Sequence, residues 1–262
     1  MRHAALSVLA LALAAPAVAQ LGQVTQSPVP EGVAEGAGAA NPKGHYAALD
    51  ALPDWGGIWF GQFRPGDAGA GGPPKLKGEY KARYEAYRAE VLANDGLVKR
   101  ARSNCSPPGM PVIMQTFQYP FEFIFAPGRV TINQEAWMQT RTIWTDGRAH
   151  QEDPDPTFMG DSIGHWEGDT LVAETIAIND TLDLQRGMGH SPSLRITERI
   201  HLDPNDSNVL LNEMVLDDPE ALEEPFKVTV RYGRDRYGAL LEFQCSENDR
   251  NQVDENGETQ AF

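Results

Sequence analysis

The chain is dominated by short runs in which apolar and polar residues alternate, which is the pattern of strands with one buried face. The runs lie close together and are separated by turn residues such as Pro127-Gly128 and Asp203–Asp206. They cover 55–60, 111–116, 119–126, 130–134, 137–145, 162–166, 170–178, 194–202, 209–216, 225–234 and 239–245. About ten short strands predict an all-β domain, either a closed or nearly closed antiparallel barrel or a sandwich.

The clearest hairpin pattern lies between residues 157 and 180. Two runs, Ser162–Trp166 and Thr170–Ile178, flank Glu167-Gly168-Asp169, and a short break centred on glycine is typical of a tight hairpin. The approach to this hairpin carries the densest set of ionisable side chains in the chain, namely His150, Asp153, Asp155, Asp161 and His165. We therefore expect a reaction centre, if there is one, next to this hairpin.

One segment between Pro74 and Arg102 has helical spacing instead. Apolar and tyrosine residues recur there at steps of three and four, at Leu76, Tyr80, Tyr84, Tyr87 and Val91. This spacing predicts an amphipathic helix, which Asn94-Asp95-Gly96 should end or interrupt. A tyrosine stripe of this kind is more typical of packing than of a ligand site.

The N-terminus has the features of a signal peptide. Arg2 and His3 precede the apolar run Ala4–Val18, which ends in the small-residue site Ala17-Val18-Ala19. The run is shorter than the ~20 residues that a membrane-spanning helix needs. We predict a periplasmic or secreted protein with a signal peptide over 1–19, a flexible leader over 20–52, one barrel domain over 53–250 and a polar tail over 251–262.

Composition narrows the possible partners. The formal net charge is −15 and no stripe of Lys and Arg is present, which argues against nucleic acid and against anionic membrane surfaces. The sequence contains no second predicted transmembrane segment, so we predict no membrane insertion after signal cleavage. The two cysteines, Cys105 and Cys245, are predicted to form a disulfide, because paired cysteines in an exported chain are usually bridged.

Several phrases together resemble one large family of exported bacterial proteins, most of which are described only as hypothetical. The phrases are Tyr119-Pro120-Phe121-Glu122-Phe123, Thr145-Asp146-Gly147-Arg148 with His150, Ser162-Ile163-Gly164 before Trp166–Val172, and Cys245 with Glu247-Asn248. The resemblance covers roughly residues 53–250 and implies a barrel that is lipocalin-like in outline, but no mechanism. Family members usually have histidine where this chain has Asp161, and this departure puts an acid–base role at that position in question.

The candidate catalytic residues are His150, His190, Glu122, Arg141, Tyr119, Glu198 and Asp161. Strand alternation could point Glu122, Arg141 and Glu198 into the barrel, where polar side chains must be paired. Paired carboxylates and imidazoles are suited to proton transfer. Arg141 or Tyr119 would then stabilise developing negative charge. The alternative is that the charged residues form structural ion pairs and that the histidines are ordinary loop residues.

Other chemistries lack their local sequence patterns. The chain has no glycine-rich phosphate loop, no Gly-x-Ser-x-Gly elbow and no Cys-x-x-Cys pair, so we predict no cofactor. His150, Asp161, His165 and His190 could bind zinc in principle, but none of the histidines has a His-x-x-x-His spacing, so we predict no metal.

These observations favour an exported lyase or isomerase without a cofactor, which holds a small apolar or aromatic compound, such as one derived from lignin, inside the barrel and acts on it by acid–base catalysis. The first alternative is a lipocalin-type carrier that holds a similar molecule without catalysis. The second is a structural protein of the cell envelope that has no cavity.

Overall fold

The computed structural model describes residues 49–62, 73–94, 98–100, 105–185, 187–245 and 259–261. The predicted signal peptide and almost all of the predicted leader lie outside these ranges, as does most of the polar tail. Within them, no helix combines the length and the apolar character needed to span a membrane.

Nine strands close into a single barrel, with one α-helix beside it. The described elements are β1 (Ile58–Gln62), α1 (Gly78–Ala93), β2 (Val98–Arg100), β3 (Phe121–Ala126), β4 (Arg129–Gln134), β5 (Thr140–Trp144), β6 (Asp161–Glu167), β7 (Thr170–Ile176), β8 (Asp183–Gln185), β9 (Met188–Gly189), β10 (Arg195–Asp203), β11 (Asp206–Asp217), β12 (Phe226–Asp235) and β13 (Thr259–Ala261). The order around the barrel is β1, β12, β11, β10, β7, β6, β5, β4, β3, and β3 pairs back with β1. The predicted all-β barrel with one helix is confirmed.

The predicted hairpin is also confirmed. β6 and β7 pair in register from Asp161 beside Ile176 to Glu167 beside Thr170. Gly168 in the turn has a φ of +60°, a conformation that glycine adopts without a steric penalty. This hairpin fixes which side chains of the two strands share a face of the sheet.

One pair of strands departs from the predicted antiparallel arrangement. β5 and β6 run parallel, with Ile143 beside Ser162 and Trp144 beside Ile163. Two parallel neighbours need a connection of about a dozen residues or more, because the chain must return before it can pair again. Residues 145–160 form this connection, and they carry His150.

Alternation along the strands directs one set of side chains into the barrel. Large buried residues fill the interior positions, including Trp59, Phe121, Phe123, Phe125, Ile132, Ile143, Leu171, Ile196, Ile200, Leu210, Met214 and Tyr232. Trp55 adds to this core, with its ring centre 4.7 Å from Phe123 and 5.3 Å from Trp166. The barrel interior is therefore packed with side chains over most of its length.

A buried arginine on β12 binds the turn before β1 through hydrogen bonds. Arg234 lies over the Trp59 ring at 4.6 Å and donates to the carbonyl oxygen of Asp54 at 2.9 Å and to its carboxylate at 3.3 Å. Burial lowers the pKa of the Arg234 guanidinium to about 10, with a further contribution from the Arg236 charge and opposition from Asp54. The guanidinium thus stays charged near neutral pH and holds the turn.

α1 matches the predicted helix in its type and its end. It begins at Gly78 and ends at Ala93, where the Asn94 amide donates to the Glu90 carbonyl at 3.1 Å. Tyr80 is buried, and the Tyr87 ring packs so closely on Gly187 that a Cβ there would lie 2.2 Å from it. The tyrosine stripe therefore packs against the rest of the protein.

Two predicted strands are wrong. The apolar run 111–116 contains a 3₁₀ turn, Val112–Gln115, instead of a strand. Ile113 and Met114 are buried in this turn, so their apolar character reflects packing and not strand pairing. Residues 239–245 form no strand. The Leu241 side chain is exposed, and its backbone amide donates to the Glu135 carboxylate. Apolar content alone does not create a strand where no edge is free to pair.

The predicted disulfide is confirmed. Cys105 and Cys245 are joined across a sequence separation of 140 residues, with Cα atoms 5.4 Å apart. In the predicted polar tail, the described residues 259–261 form β13, which pairs with β2.

Candidate functional site

A polar cluster on the outer face of the barrel centres on His150, in the connection between β5 and β6. Its imidazole Nδ1 lies 2.8 Å from a carboxylate oxygen of Asp161, at the start of β6. Its Nε2 lies 3.2 Å from a carboxylate oxygen of Glu174, on β7. We call His150, Asp161, Glu174 and Arg195 the outer cluster, since Arg195 of β10 forms an ion pair with Glu174.

Strand alternation explains why these groups meet outside the barrel. Ser162 and Thr175 are buried and face inward, so their chain neighbours Asp161 and Glu174 face outward. The same holds for Arg195, which precedes the fully buried Ile196. The β5–β6 connection then lays His150 across the two outward carboxylates.

The contacts constrain the proton on the imidazole. An ionised carboxylate only accepts hydrogen bonds, so the short contact to Asp161 directs an Nδ1–H towards that residue. The backbone amide of Gln151 also donates to the same Asp161 oxygen, at 3.3 Å. Nε2 then faces the Glu174 carboxylate at 3.2 Å, so a proton on Nε2 lies within hydrogen-bond reach of that carboxylate, an arrangement suited to proton transfer.

The cluster is closed on one side and open on the other. The side chains of His150 and Asp161 are 13% and 12% exposed, whereas those of Glu174 and Arg195 are 35% and 49% exposed. A small molecule could therefore approach over Glu174 and Arg195 and reach Nε2 of His150. Asp161 lies behind the ring and is placed to orient it.

The chain was compared with protein-family models and with curated proteins. No match was found in either comparison. The functional conclusion therefore rests on the geometry of the described residues.

A second polar cluster lies inside the barrel and centres on Arg141 of β5. Its Nη1 donates to Glu198 Oε1 at 3.1 Å and its Nη2 also donates to the Glu198 carboxylate. Further bonds run from Nη2 to Thr175 Oγ1 at 2.8 Å and from Nε to Ser162 Oγ at 3.3 Å. We call these four residues, with Asn212, the inner cluster.

The inner cluster is sealed from solvent. Arg141 is 1% exposed and Glu198 is 0% exposed, and Asn212 donates to Glu198 Oε1 at 2.8 Å. Burial, together with the Glu198 charge, raises the pKa of nearby Tyr232, whose hydroxyl donates to the Met114 carbonyl at 2.7 Å. Complete pairing of both charges without access to solvent is typical of a structural ion pair.

The remaining carboxylate and phenol candidates lie apart from both clusters. Glu122 faces outward on β3 and accepts a hydrogen bond from Asn133 at 3.1 Å, so the idea that it points into the barrel is wrong. Its neighbours Phe121 and Phe123 occupy the interior instead. Tyr119 belongs to an aromatic group with Trp137 and Phe243, at 6.0 Å and 5.4 Å between ring centres.

His190 is buried in the segment between β9 and β10. Its Nδ1 lies 2.8 Å from the carbonyl oxygen of Ser191, which places the proton of a neutral ring on Nδ1. Its Nε2 has no hydrogen-bond partner among the described residues. His190 therefore belongs to neither cluster.

The candidates for a metal site are also separated. His150 and Asp161 meet, but His165 is 64% exposed and pairs with Glu167 at 3.2 Å. In the described parts of the chain, no group of three or more His, Cys, Asp or Glu side chains has an arrangement that could hold a metal ion.

Sequence reasoning missed two members of the outer cluster, Glu174 and Arg195. Glu174 could have been predicted from the hairpin centred on Gly168. The register of that hairpin pairs Glu174 with Ile163, on the same face of the sheet as Asp161. Arg195 lies further along the chain, and only the pairing of β10 with β7 brings it to this face.

Proposed function

We propose that the protein is an exported lyase or isomerase without a cofactor, which acts on a small apolar or aromatic compound through proton transfer at His150. The observation that carries this proposal is the imidazole of His150 held between Asp161 and Glu174, with its Nε2 facing the more exposed of the two carboxylates. We place the site on the outer face because the interior positions are occupied by large buried side chains. This differs from the reaction centre inside the barrel that the sequence favoured.

The outer cluster offers the groups that an elimination requires. Glu174 takes a proton from a substrate carbon, and the Nε2–H of His150 protonates the departing oxygen as the carbon–oxygen bond breaks. The electron pair of the broken C–H bond becomes the new double bond, so there is no net redox change. Arg195 stabilises negative charge that develops on the substrate, and Asp161 keeps the imidazole oriented.

An isomerisation would use the same groups with one difference. The proton removed from one carbon would be returned to another, with the substrate retained intact. In both cases the half-exposed carboxylate and the imidazole exchange one proton per turnover, and Glu174 must release its contact with Nε2 when substrate enters.

The direct test is the turnover of the purified mature protein on a panel of lignin-type aromatic dimers, followed by chromatography of the products. His150→Gln should lower turnover by about 10²-fold or more, which is the usual contribution of a general acid or base. His165→Gln is the matched control, because His165 also contacts a glutamate, Glu167, that pairs with an arginine, Arg199. The control should retain full turnover.

Two outcomes would contradict the proposal. One is a panel in which no compound is converted, and the other is a His150 variant that turns over as fast as the control. Activity should also survive dialysis against a chelator, and its loss together with removal of a bound metal would overturn the proposed lack of a cofactor.

A further inference from the structure

Trp144 and Arg148 flank the outer cluster on the side of β5. Trp144 ends that strand with its side chain outward and half-buried. The guanidinium carbon of Arg148 lies 3.7 Å from the centre of the Trp144 ring. Arg148 is held there by Asp146, with Nε–oxygen distances of 2.9 and 3.0 Å and an Nη2–oxygen distance of 2.6 Å. The ring and the guanidinium therefore lie together as one wall beside the outer cluster.

Strand register aligns this wall with the reactive groups. Trp144 lies beside Ile163 on β6, and Ile163 lies beside Glu174 on β7, all with side chains on the outer face. Two strand spacings separate the backbones of Trp144 and Glu174 by about 10 Å. That span is comparable with the length of a single substituted aromatic ring, and the outward Ile163 lies between Trp144 and Glu174 as an apolar floor.

The charges at this surface disfavour an anionic ligand. Three carboxylates, Asp146, Asp161 and Glu174, face two guanidinium groups, Arg148 and Arg195. The set has an excess of one negative charge when His150 is neutral and no net charge when Nδ1 and Nε2 both carry protons, in a chain whose formal net charge is −15. Both arginines already pair with carboxylates, which weakens the attraction that either has for the full charge of a ligand carboxylate. Hydroxyl groups, in contrast, donate readily to carboxylate oxygens.

We propose that Trp144, Arg148 and Ile163 form a subsite for an uncharged aromatic ring with a substituent that carries a hydroxyl group, directed towards Glu174 and His150. The aromatic ring packs against the indole edge and the isoleucine, and the hydroxyl group reaches the outer cluster. This proposal deepens the proposed function and rests on it for the identity of the reactive groups. Binding itself is measurable without turnover.

The test compares two ligands that differ in charge. Veratryl alcohol and veratrate share one ring, but the second is an anion at neutral pH. Calorimetric titration of the mature protein should show that the alcohol binds about 10-fold more tightly or better, because the carboxylate of veratrate is repelled. Trp144→Ala should weaken binding of the alcohol by about 10-fold, whereas the control His165→Ala should leave it unchanged.

Trp144→Phe keeps an aromatic side chain and should retain most of the affinity, which guards against an effect of misfolding in Trp144→Ala. Circular dichroism confirms the fold of each variant. Equal binding of the two ligands, no detectable binding of the alcohol, or an unchanged affinity in Trp144→Ala would each overturn the subsite.

The experiment separates this proposal from the proposed function. His150→Gln should lower turnover by about 10²-fold or more, whereas the weaker binding of veratryl alcohol in Trp144→Ala is measured without turnover. Binding that depends on Trp144 in a protein without turnover would support the subsite and contradict the enzyme. Turnover that depends on His150, with binding unaffected by Trp144→Ala, would do the reverse.

Discussion

The outer and inner clusters are built from adjacent residues of the same two strands. Asp161 and Glu174 hold His150 outside the barrel, and the next residues, Ser162 and Thr175, hold Arg141 inside it. Both clusters contain a cationic or basic side chain between oxygen acceptors. They differ in exposure, because the inner arginine and glutamate are sealed while the outer carboxylate and arginine are one-third to one-half exposed.

This difference separates two uses of similar chemistry. A charge pair that is fully buried and fully hydrogen-bonded contributes to a unique fold, and removal of one partner leaves a costly unpaired charge. A cluster that keeps one side open loses little stability when a member is replaced, yet its groups can reach a ligand. We therefore expect the inner cluster to stabilise the fold and propose the outer cluster as the place of the chemistry.

The largest expected effect concerns Arg141. Arg141→Met should lower the free energy of unfolding by about 3–5 kcal/mol, because Glu198 would remain buried without its partner. The double variant Arg141→Met/Glu198→Leu should recover much of the loss, since it removes both charges. Urea denaturation of the three proteins measures these values. A single variant as stable as the wild type would show that the inner cluster does not stabilise the barrel.

A smaller effect is expected at Asp54, whose side chain is 48% exposed although it holds the buried Arg234. Burial tends to raise the pKa of Asp54, but hydrogen bonds from Gly56 and Arg236 and the charges of Arg234 and Arg236 outweigh it and lower the pKa below its usual 3.8. A carboxylate whose pKa is lower in the folded state than in the unfolded state stabilises the protein at pH values above the unfolded-state pKa. This stabilisation is lost as the pH falls through the folded-state pKa.

The wild type should therefore lose stability below about pH 4 more steeply than Asp54→Asn, by less than about 1 kcal/mol, because solvent screens the half-exposed pair. Urea midpoints measured from pH 5 to pH 2.5 provide the comparison. Identical acid slopes for the two proteins would exclude Asp54 from the acid response.

Much of the barrel was predictable because its strands alternate clearly. The same alternation could also have sorted the candidate residues. Glu198 is two residues from each of the apolar residues Ile196 and Ile200 on the same strand, and therefore points inward with them. Glu122, in contrast, lies between Phe121 and Phe123, so its opposite parity directs it outward.

The parallel pairing of β5 and β6 was not predictable in the same way. It depends on which distant edges meet when the barrel closes, and no local pattern in 140–162 records that choice. The sequence placed His150 in the approach to the hairpin, but its position on the outer face between Asp161 and Glu174 follows from this pairing and was not predicted. The contact of Arg195 with Glu174 depends on the same long-range assembly.

The most direct test of the account compares two neighbouring residues, Asp161 and Ser162, which belong to different clusters. The measurement is the initial rate of substrate conversion by Asp161→Asn and Ser162→Ala, at a temperature where both variants are folded. We expect Asp161→Asn to lose about 10-fold or more, because the imidazole loses the carboxylate that orients it, while Ser162→Ala keeps the wild-type rate. Equal rates for the two variants, or a loss confined to Ser162→Ala, would contradict the assignment of chemistry to the outer cluster.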